Sequence, residues 1–213
     1  ARSGATPVIG ALPFSLLTDR LDLVLPERGG CRTADPAQGV LKLAVLERHG
    51  RGGGIGLGFV KGFGPLRGAI ASSIGHDSHN LIVAGDDDAD MAVAANHLIA
   101  LQGGAAVVRD GKVLADLPLP VAGLMSDQSF GFVEARLRPL RAAAAASTSS
   151  ASMSPRIASA CCSDREYPAA CGGVLHFLCA ASGVLRIFRG GRGCFCTGFS
   201  LRHIASVWLR CLV

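Results

Sequence analysis

The sequence predicts an α/β fold, with α+β as the alternative, in which helices cover a mixed β-sheet. Hydrophobic residues make up 49% of the 213 residues and 28 are glycines, which is typical of short strands joined by tight turns. Apolar runs of strand length follow one another between residues 18 and 85, and two of them are almost continuously apolar, as in strands covered on both faces. A segment with apolar residues at helical spacing comes next.

Charge and cysteine content divide the chain into three parts. We interpret residues 1–17 as a lead-in from a preceding domain, 18–146 as one domain, and 147–213 as an irregular, non-native or disordered tail. Residues 1–145 hold 14 Lys and Arg against 14 Asp and Glu, whereas the remainder holds seven Arg, no Lys and seven of the eight cysteines. Arginine without lysine beside scattered cysteine is typical of GC-rich coding DNA read out of frame. The chain also opens on "ARSGATPVIG", without a start methionine, and we expect it to be part of a longer protein.

Strands are predicted wherever apolar residues alternate or run together between turn residues. "TDRLDLVLP" alternates, and "VLKLAVLERHG" places Leu41, Leu43 and Val45 on one face before Gly50 ends it. The predicted strands are 18–26, 40–50, 55–63, 67–74 and 80–85.

The clearest helix is "GDDDADMAVAANHLIALQGG", where Asp86–Asp88 can cap the N-terminus and Gly103 ends the helix. Its apolar residues at helical spacing are Met91, Ala94, Ala95, Leu98 and Leu101. "AAVVRDGKVLADLPLP" predicts a hairpin with an Asp110-Gly111 turn. A last helix over 132–146 should break or kink at Pro139.

Several functional classes lack their motifs. Gly56 and Gly58 do not continue into G-x-G-x-x-G, and Gly111-Lys112 lacks the Ser or Thr of a phosphate loop. No C-x-x-C occurs anywhere, so the zinc-deaminase signature and structural-zinc spacing are both missing. The neutral part up to residue 145 gives no reason to expect nucleic acid, and the longest apolar run is too short to span a membrane. We therefore expect a cytoplasmic protein that binds neither nucleic acid nor membrane.

The stretch "GAIASSIGHDSHN", residues 68–80, carries the candidate site at the end of an apolar strand. Its polar residues are His76, Asp77, Ser78, His79 and Asn80. A turn can bring the two imidazoles together, and they can then bind a metal with Asp77 as ligand or orienting group. The alternative is structural, with Asp77, Ser78 and Asn80 bonded to local backbone. Another strand ends in a second polar cluster, Glu47, Arg48 and His49.

These residues carry a resemblance to a known family. The segment from about Thr18 to Ala146, with "KGFG", "RGAIASS", "HDSHN" and "LPLPVAGLMSD", resembles the C-terminal domain of bacterial-type adenine deaminases. That family belongs to the metal-dependent amidohydrolase superfamily. The resemblance implies hydrolysis of adenine to hypoxanthine and ammonia by a metal-activated water in a homo-oligomeric enzyme.

The resemblance also implies where the metal lies. A divalent Mn or Fe ion is held in a preceding β/α-barrel, so no metal ligand is assigned in this chain, and the chain by itself is expected to be inactive. We assign His76, Asp77 and His79 as candidate catalytic residues, and Ser78 and Asn80 as candidate substrate-binding residues. They can close over the barrel mouth, bond the purine or hold an accessory metal. The alternative function is a non-catalytic structural or oligomerisation domain.

Overall fold

The computed structural model describes residues 4–12, 17–50, 52–75 and 78–148. The described residues form an eight-stranded sheet, a separate two-stranded sheet and two α-helices. The strands of the large sheet are β1 (Thr6–Ala11), β2 (Thr18–Leu23), β5 (Val40–Leu46), β6 (Ile55–Lys61), β7 (Ala69–Ser72), β8 (Leu81–Gly85), β9 (Gly104–Arg109) and β10 (Lys112–Pro118). The small sheet pairs β3 (Glu27–Arg28) with β4 (Cys31–Arg32), followed by a 3₁₀ turn at Pro36–Gln38; the helices are α1 (Asp88–Ala100) and α2 (Phe130–Ser147).

The strand order in the large sheet is β10-β9-β7-β8-β5-β6-β1-β2. Every neighbouring pair is antiparallel except β1 and β6, which are parallel. The predicted α/β fold with a mixed sheet is therefore confirmed. β7 and β8 are buried along their whole length, as their continuous apolar sequences predicted.

Helix α1 covers one face of the sheet. Asp87 is its N-cap, with Oδ2 accepting hydrogen bonds from Ala89 N at 2.9 Å and Asp90 N at 3.1 Å. The helix ends where Gln102 and Gly103 take φ values of 62° and 128°. Its inward side chains, Met91, Ala94, Ala95 and Leu98, pack in one cluster with β7, β8 and β9. The predicted cap, buried face and end of this helix are confirmed.

Helix α2 lies in the second hydrophobic cluster, which contains Leu41, Leu43 and Val45 of β5. The helix runs as a single element through Pro139, so the predicted break is absent, and the alternative of a kink stays a prediction. Pro139 removes one helical hydrogen bond, but Leu140 and Ala144 are buried beyond it. Leu140 and Ala144 are four residues apart on one face of the helix, and their burial outweighs the loss of one hydrogen bond.

The lead-in predicted for residues 1–17 needs correction, because it contains a strand of the sheet. β1 pairs with β2 along its full length and with β6 at Ile9 and Gly10. Val8 is 2% exposed, so the strand contributes to the core. Pro7 and Gly10 made the strand hard to recognise in the sequence. At Pro7 the strand has only one neighbour, β2, because β6 pairs from Ile9 onward, and proline is tolerated at such edge positions.

The tail predicted for residues 147–213 falls almost entirely outside the described residues, and its character stays a prediction. The part that the structure does describe is ordered, since Ser147 closes α2 and Thr148 forms an isolated bridge with Leu66. In the portion of the chain that the structure describes, neither helix combines the length and apolar character needed to cross a membrane.

Strand register places four connections at one end of the sheet, which we call the loop end. Leu46 pairs with Leu81, Ser72 with Ala105, and Pro118 with Gly104. The connections at the loop end are residues 47–54, 73–80, 101–103 and 119–129. The candidate residues that the structure describes lie in two of these connections.

Candidate functional site

A tight turn between β7 and β8 carries three of the predicted site residues. His79 N donates a hydrogen bond to Gly75 O at 2.8 Å, which closes the turn, and His79 adopts φ 46° in the left-handed region. Ser78, His79 and Asn80 are described, whereas His76 and Asp77 lie outside the described residues. The predicted approach of His76 to His79 therefore stays a prediction.

Two polar atoms of this turn are buried without a hydrogen-bond partner. They are Ser78 Oγ and Asn80 Oδ1, and the whole Asn80 residue is only 4% exposed. An unsatisfied buried polar atom costs about 1–3 kcal/mol, so folded proteins keep few of them. The turn therefore holds an acceptor and a hydroxyl whose hydrogen-bonding capacity is not used within the described fold.

The second polar cluster lies against this turn. His49 Nε2 is 2.7 Å from Ser78 O, and because a carbonyl oxygen only accepts, Nε2 carries the proton. A neutral His49 ring then presents Nδ1 as an acceptor. Glu47 shapes the same loop, since its two carboxylate oxygens accept from His49 N and from Gly53 N. The structure thus joins two clusters that are separate in the sequence.

Arg48 connects the turn to two further loops. Its guanidinium donates to His79 O at 3.4 Å, to Gln102 O at 3.3 Å and to Ala122 O at 3.1 Å. These carbonyls belong to three different connections at the loop end. Sequence reasoning placed Arg48 in a polar cluster but did not identify Gln102 or Ala122 as its partners.

Ser73 forms a second link at the loop end, and sequence reasoning missed it. The side chain is fully buried, accepts a hydrogen bond from Gly104 N at 2.7 Å, and donates to Gly123 O at 2.6 Å. The available signals were the "ASS" and "AGL" segments, in which small residues interrupt apolar sequence. Nothing in the sequence shows that these two segments meet.

No metal centre can be built from the residues that the structure describes. Among them, no group of three or more His, Cys, Asp and Glu side chains has the arrangement to hold a metal ion. The divalent ion implied by the resemblance therefore does not fit the described part of the chain.

A polar cleft of about 560 Å³ lies at the opposite end of the sheet, beside the start of α1. Arg67, Arg109 and several aspartates line it. The aspartates already have structural roles: Asp86 Oδ1 accepts from Gly68 N at 2.7 Å, and Asp90 accepts from Asp110 N and Gly111 N. Capping and turn formation therefore account for these carboxylates.

Fold and site together define an α/β domain whose sheet gathers four polar connections at one end. Residues 15–164 match the family described as the adenine deaminase C-terminal domain. The chain belongs to the adenine deaminase C-terminal domain family. The match passes the predicted domain end at 146, and residues 149–164 lie outside the described part.

Three relatives show how much of a family member this chain represents. The adenine deaminase of Methylobacterium nodulans is 58% identical over 144 residues, which are 68% of this chain and 25% of the relative. That of Gluconobacter oxydans is 54% identical over 138 residues, covering 65% and 24%. That of Brucella anthropi is 49% identical over 144 residues, covering 68% and 26%. The chain spans about a quarter of the length of these relatives.

Proposed function

We propose that this chain supplies the C-terminal domain of an adenine deaminase, which hydrolyses adenine to hypoxanthine and ammonia. The relatives named above carry that activity in their names, and the proposal transfers it to the protein of which this domain forms part. Support from the structure comes from the buried, unpartnered Ser78 Oγ and Asn80 Oδ1 in a turn that the surrounding loops hold. This turn is the best candidate for contact with the purine.

The proposed roles follow from what each side chain can do. Asn80 Oδ1 accepts a hydrogen bond, which matches the N–H donors of the 6-amino group of adenine, and Ser78 Oγ donates to or accepts from a ring nitrogen. His79, with His76 and Asp77, is proposed to carry protons to or from the leaving ammonia. The divalent Mn or Fe ion, which activates the attacking water in the family, is assigned to the remainder of the enzyme.

The wider setting also belongs to the proposal. We propose a cytoplasmic homo-oligomeric enzyme with a small-molecule purine as substrate and with neither nucleic acid nor membrane as partner. The balance of 14 basic and 14 acidic residues up to residue 145 supports the absence of a nucleic-acid surface.

A second candidate function is a non-catalytic structural or oligomerisation module. Ile55 and Leu57 favour it, because they project from the same face of β6 and are 54% and 53% exposed. Adjacent exposed aliphatic side chains on a strand are typical of a contact surface. The two candidates differ in what the turn of residues 73–80 does during turnover.

The test uses a chimaera in which this domain replaces the matching 144 residues of the Methylobacterium nodulans relative. His79→Ala is compared with His97→Ala in ammonia release from adenine and in thermal midpoint. His97 is a matched control, because it is a partly buried histidine bound to Asp116 at 2.8 Å, away from the turn. The 213-residue chain alone serves as the background measurement, from which we expect no ammonia release.

We expect His79→Ala to lower kcat/KM by roughly 10²- to 10⁴-fold with little change in thermal midpoint, as for a lost acid–base or orienting group. His97→Ala should lower the midpoint and leave kcat near normal. Normal kinetics in a destabilised His79→Ala chimaera would contradict the catalytic role and support the structural module.

A further inference from the structure

The hydrogen bonds of Arg48 join three loops that are far apart in sequence. Its partners within the described residues are backbone carbonyl oxygens, at 3.1 Å for Ala122, 3.3 Å for Gln102 and 3.4 Å for His79. They belong to the β10–α2 loop, the α1–β9 turn and the candidate turn, respectively. One half-buried side chain therefore contacts three of the four connections at the loop end, and it projects from the fourth.

The three carbonyls share an unusual backbone conformation. His79, Gln102 and Ala122 have φ values of 46°, 62° and 56°, and the fourth such non-glycine residue in the described chain is Asp110 of the hairpin. Left-handed backbone is disfavoured for residues with a side chain, so it persists only where surrounding contacts hold it. In the described chain, the three left-handed residues other than glycine that lie outside the hairpin all give their carbonyl oxygens to Arg48.

The adjoining glycine is shaped to the guanidinium. A Cβ placed on Gly123 would lie 1.8 Å from Arg48 Nη1, and Gly123 itself has φ 72°. Gly103 packs closely against Gly123, because a Cβ placed on Gly103 would lie 2.5 Å from Gly123 Cα. The loops therefore close around Arg48, with no space for a side chain between them.

Arginine is the residue type suited to this arrangement. Its planar guanidinium offers five N–H donors in fixed directions, whereas the lysine ammonium offers three donors at a single nitrogen. A lysine at position 48 would retain the charge but could not reach three carbonyls in different directions from one atom.

We infer that Arg48 is a positioning residue: it fixes the backbone of the candidate turn at His79 and so places Ser78, His79 and Asn80 for the reaction. The inference rests on the proposed function for the chemical role of the turn. The geometric part concerns this chain alone, since Arg48 and the carbonyls it binds are all present in it.

Amide hydrogen exchange in the 213-residue chain tests the geometric part. Arg48→Lys is compared with Arg32→Lys, a matched control in which the arginine also donates to a carbonyl, Leu25 O at 3.1 Å, away from the loop end. We expect Arg48→Lys to speed exchange of the His79 amide by about tenfold or more and to leave the Leu98 amide of the core unchanged. Arg32→Lys should change neither amide.

Two exchange results would overturn the inference. An unchanged His79 amide would mean that Arg48 does not hold the turn. Equal acceleration of the His79 and Leu98 amides would mean that Arg48 supports the whole fold rather than this turn.

Turnover by the chimaera then tests the functional part. Arg48→Lys should lower kcat by about tenfold or more, with a smaller change in KM, and guanidinium ion should partly restore the rate of Arg48→Ala. A loosened turn with normal Arg48→Lys kinetics, in a chimaera that His79→Ala inactivates, would also overturn the inference. If His79→Ala and Arg48→Lys both leave turnover normal while the turn loosens, the proposed catalytic role of the turn fails and the assignment of Arg48 to the turn geometry stands.

Discussion

Replacing Ser73 with alanine should destabilise the loop end far more than replacing its neighbour Ser72. Both serines are fully buried at the end of β7. Ser73 Oγ accepts from Gly104 N at 2.7 Å and donates to Gly123 O at 2.6 Å, whereas Ser72 Oγ accepts from Ile74 N at 3.0 Å. The pair therefore differs in the number of buried backbone groups that each hydroxyl satisfies.

The magnitude follows from the groups left behind. Ser73→Ala leaves Gly104 N and Gly123 O without these partners, and both glycines are buried. An unsatisfied buried backbone group costs about 1–3 kcal/mol, so with partial relaxation Ser73→Ala should lower the free energy of unfolding by about 2–4 kcal/mol. Ser72→Ala, with a single local bond lost, should cost about 1 kcal/mol.

Urea denaturation and thermal melting of the two alanine variants measure this difference. At about 2–4 °C per kcal/mol for a chain of this size, Ser73→Ala should lower the midpoint by about 5–15 °C and Ser72→Ala by about 2–4 °C. Equal losses of unfolding free energy in the two variants would refute the reasoning, because the number of backbone groups that each hydroxyl satisfies would then not determine the cost. A small loss in both would show that water replaces the hydroxyl at Gly104 and Gly123.

Two further expectations concern other parts of the fold. Asp90→Ala should lower the free energy of unfolding by about 1–2 kcal/mol in urea denaturation, because Asp90, 6% exposed, accepts from Asp110 N at 3.1 Å and Gly111 N at 2.7 Å. Asp88→Ala is its control and should cost at most about 0.5 kcal/mol, since the Asp88 side chain is 73% exposed in its pair with Lys42; equal losses would contradict the argument. Pro139→Ala should raise the thermal midpoint and add up to about 3 kcal/mol to the free energy of unfolding, because it restores a helical N–H within α2. An unchanged or lower midpoint would show that the proline already fits the helix.

The candidate site was only partly accessible from sequence. The order of polar residues after an apolar strand predicted the candidates His76, Asp77, Ser78, His79 and Asn80, and a strand end predicted the cluster Glu47, Arg48 and His49. The contact between the clusters, such as that of His49 Nε2 with Ser78 O at 2.7 Å, depends on the register of β5 against β8. Register is a property of two strands together, so neither sequence segment contains it.

Features that depend on neighbouring residues were determined by the sequence itself. Examples are α1, with its Asp87 cap and helical spacing, and the Asp110-Gly111 turn, whose residues have φ 53° and 72°. The apolar strands β7 and β8 also follow directly from composition and length.

Three features were decided by the tertiary structure alone. Local sequence rules either do not predict them or argue against them. β1 joins the sheet despite Pro7, because β6 pairs only beyond it, and α2 continues through Pro139, because the residues that follow are buried against the sheet. Three left-handed residues are held because Arg48 binds their carbonyl oxygens. In each case contacts between distant segments outweigh a local backbone preference of about 1–3 kcal/mol, and such contacts exist only once the chain has folded.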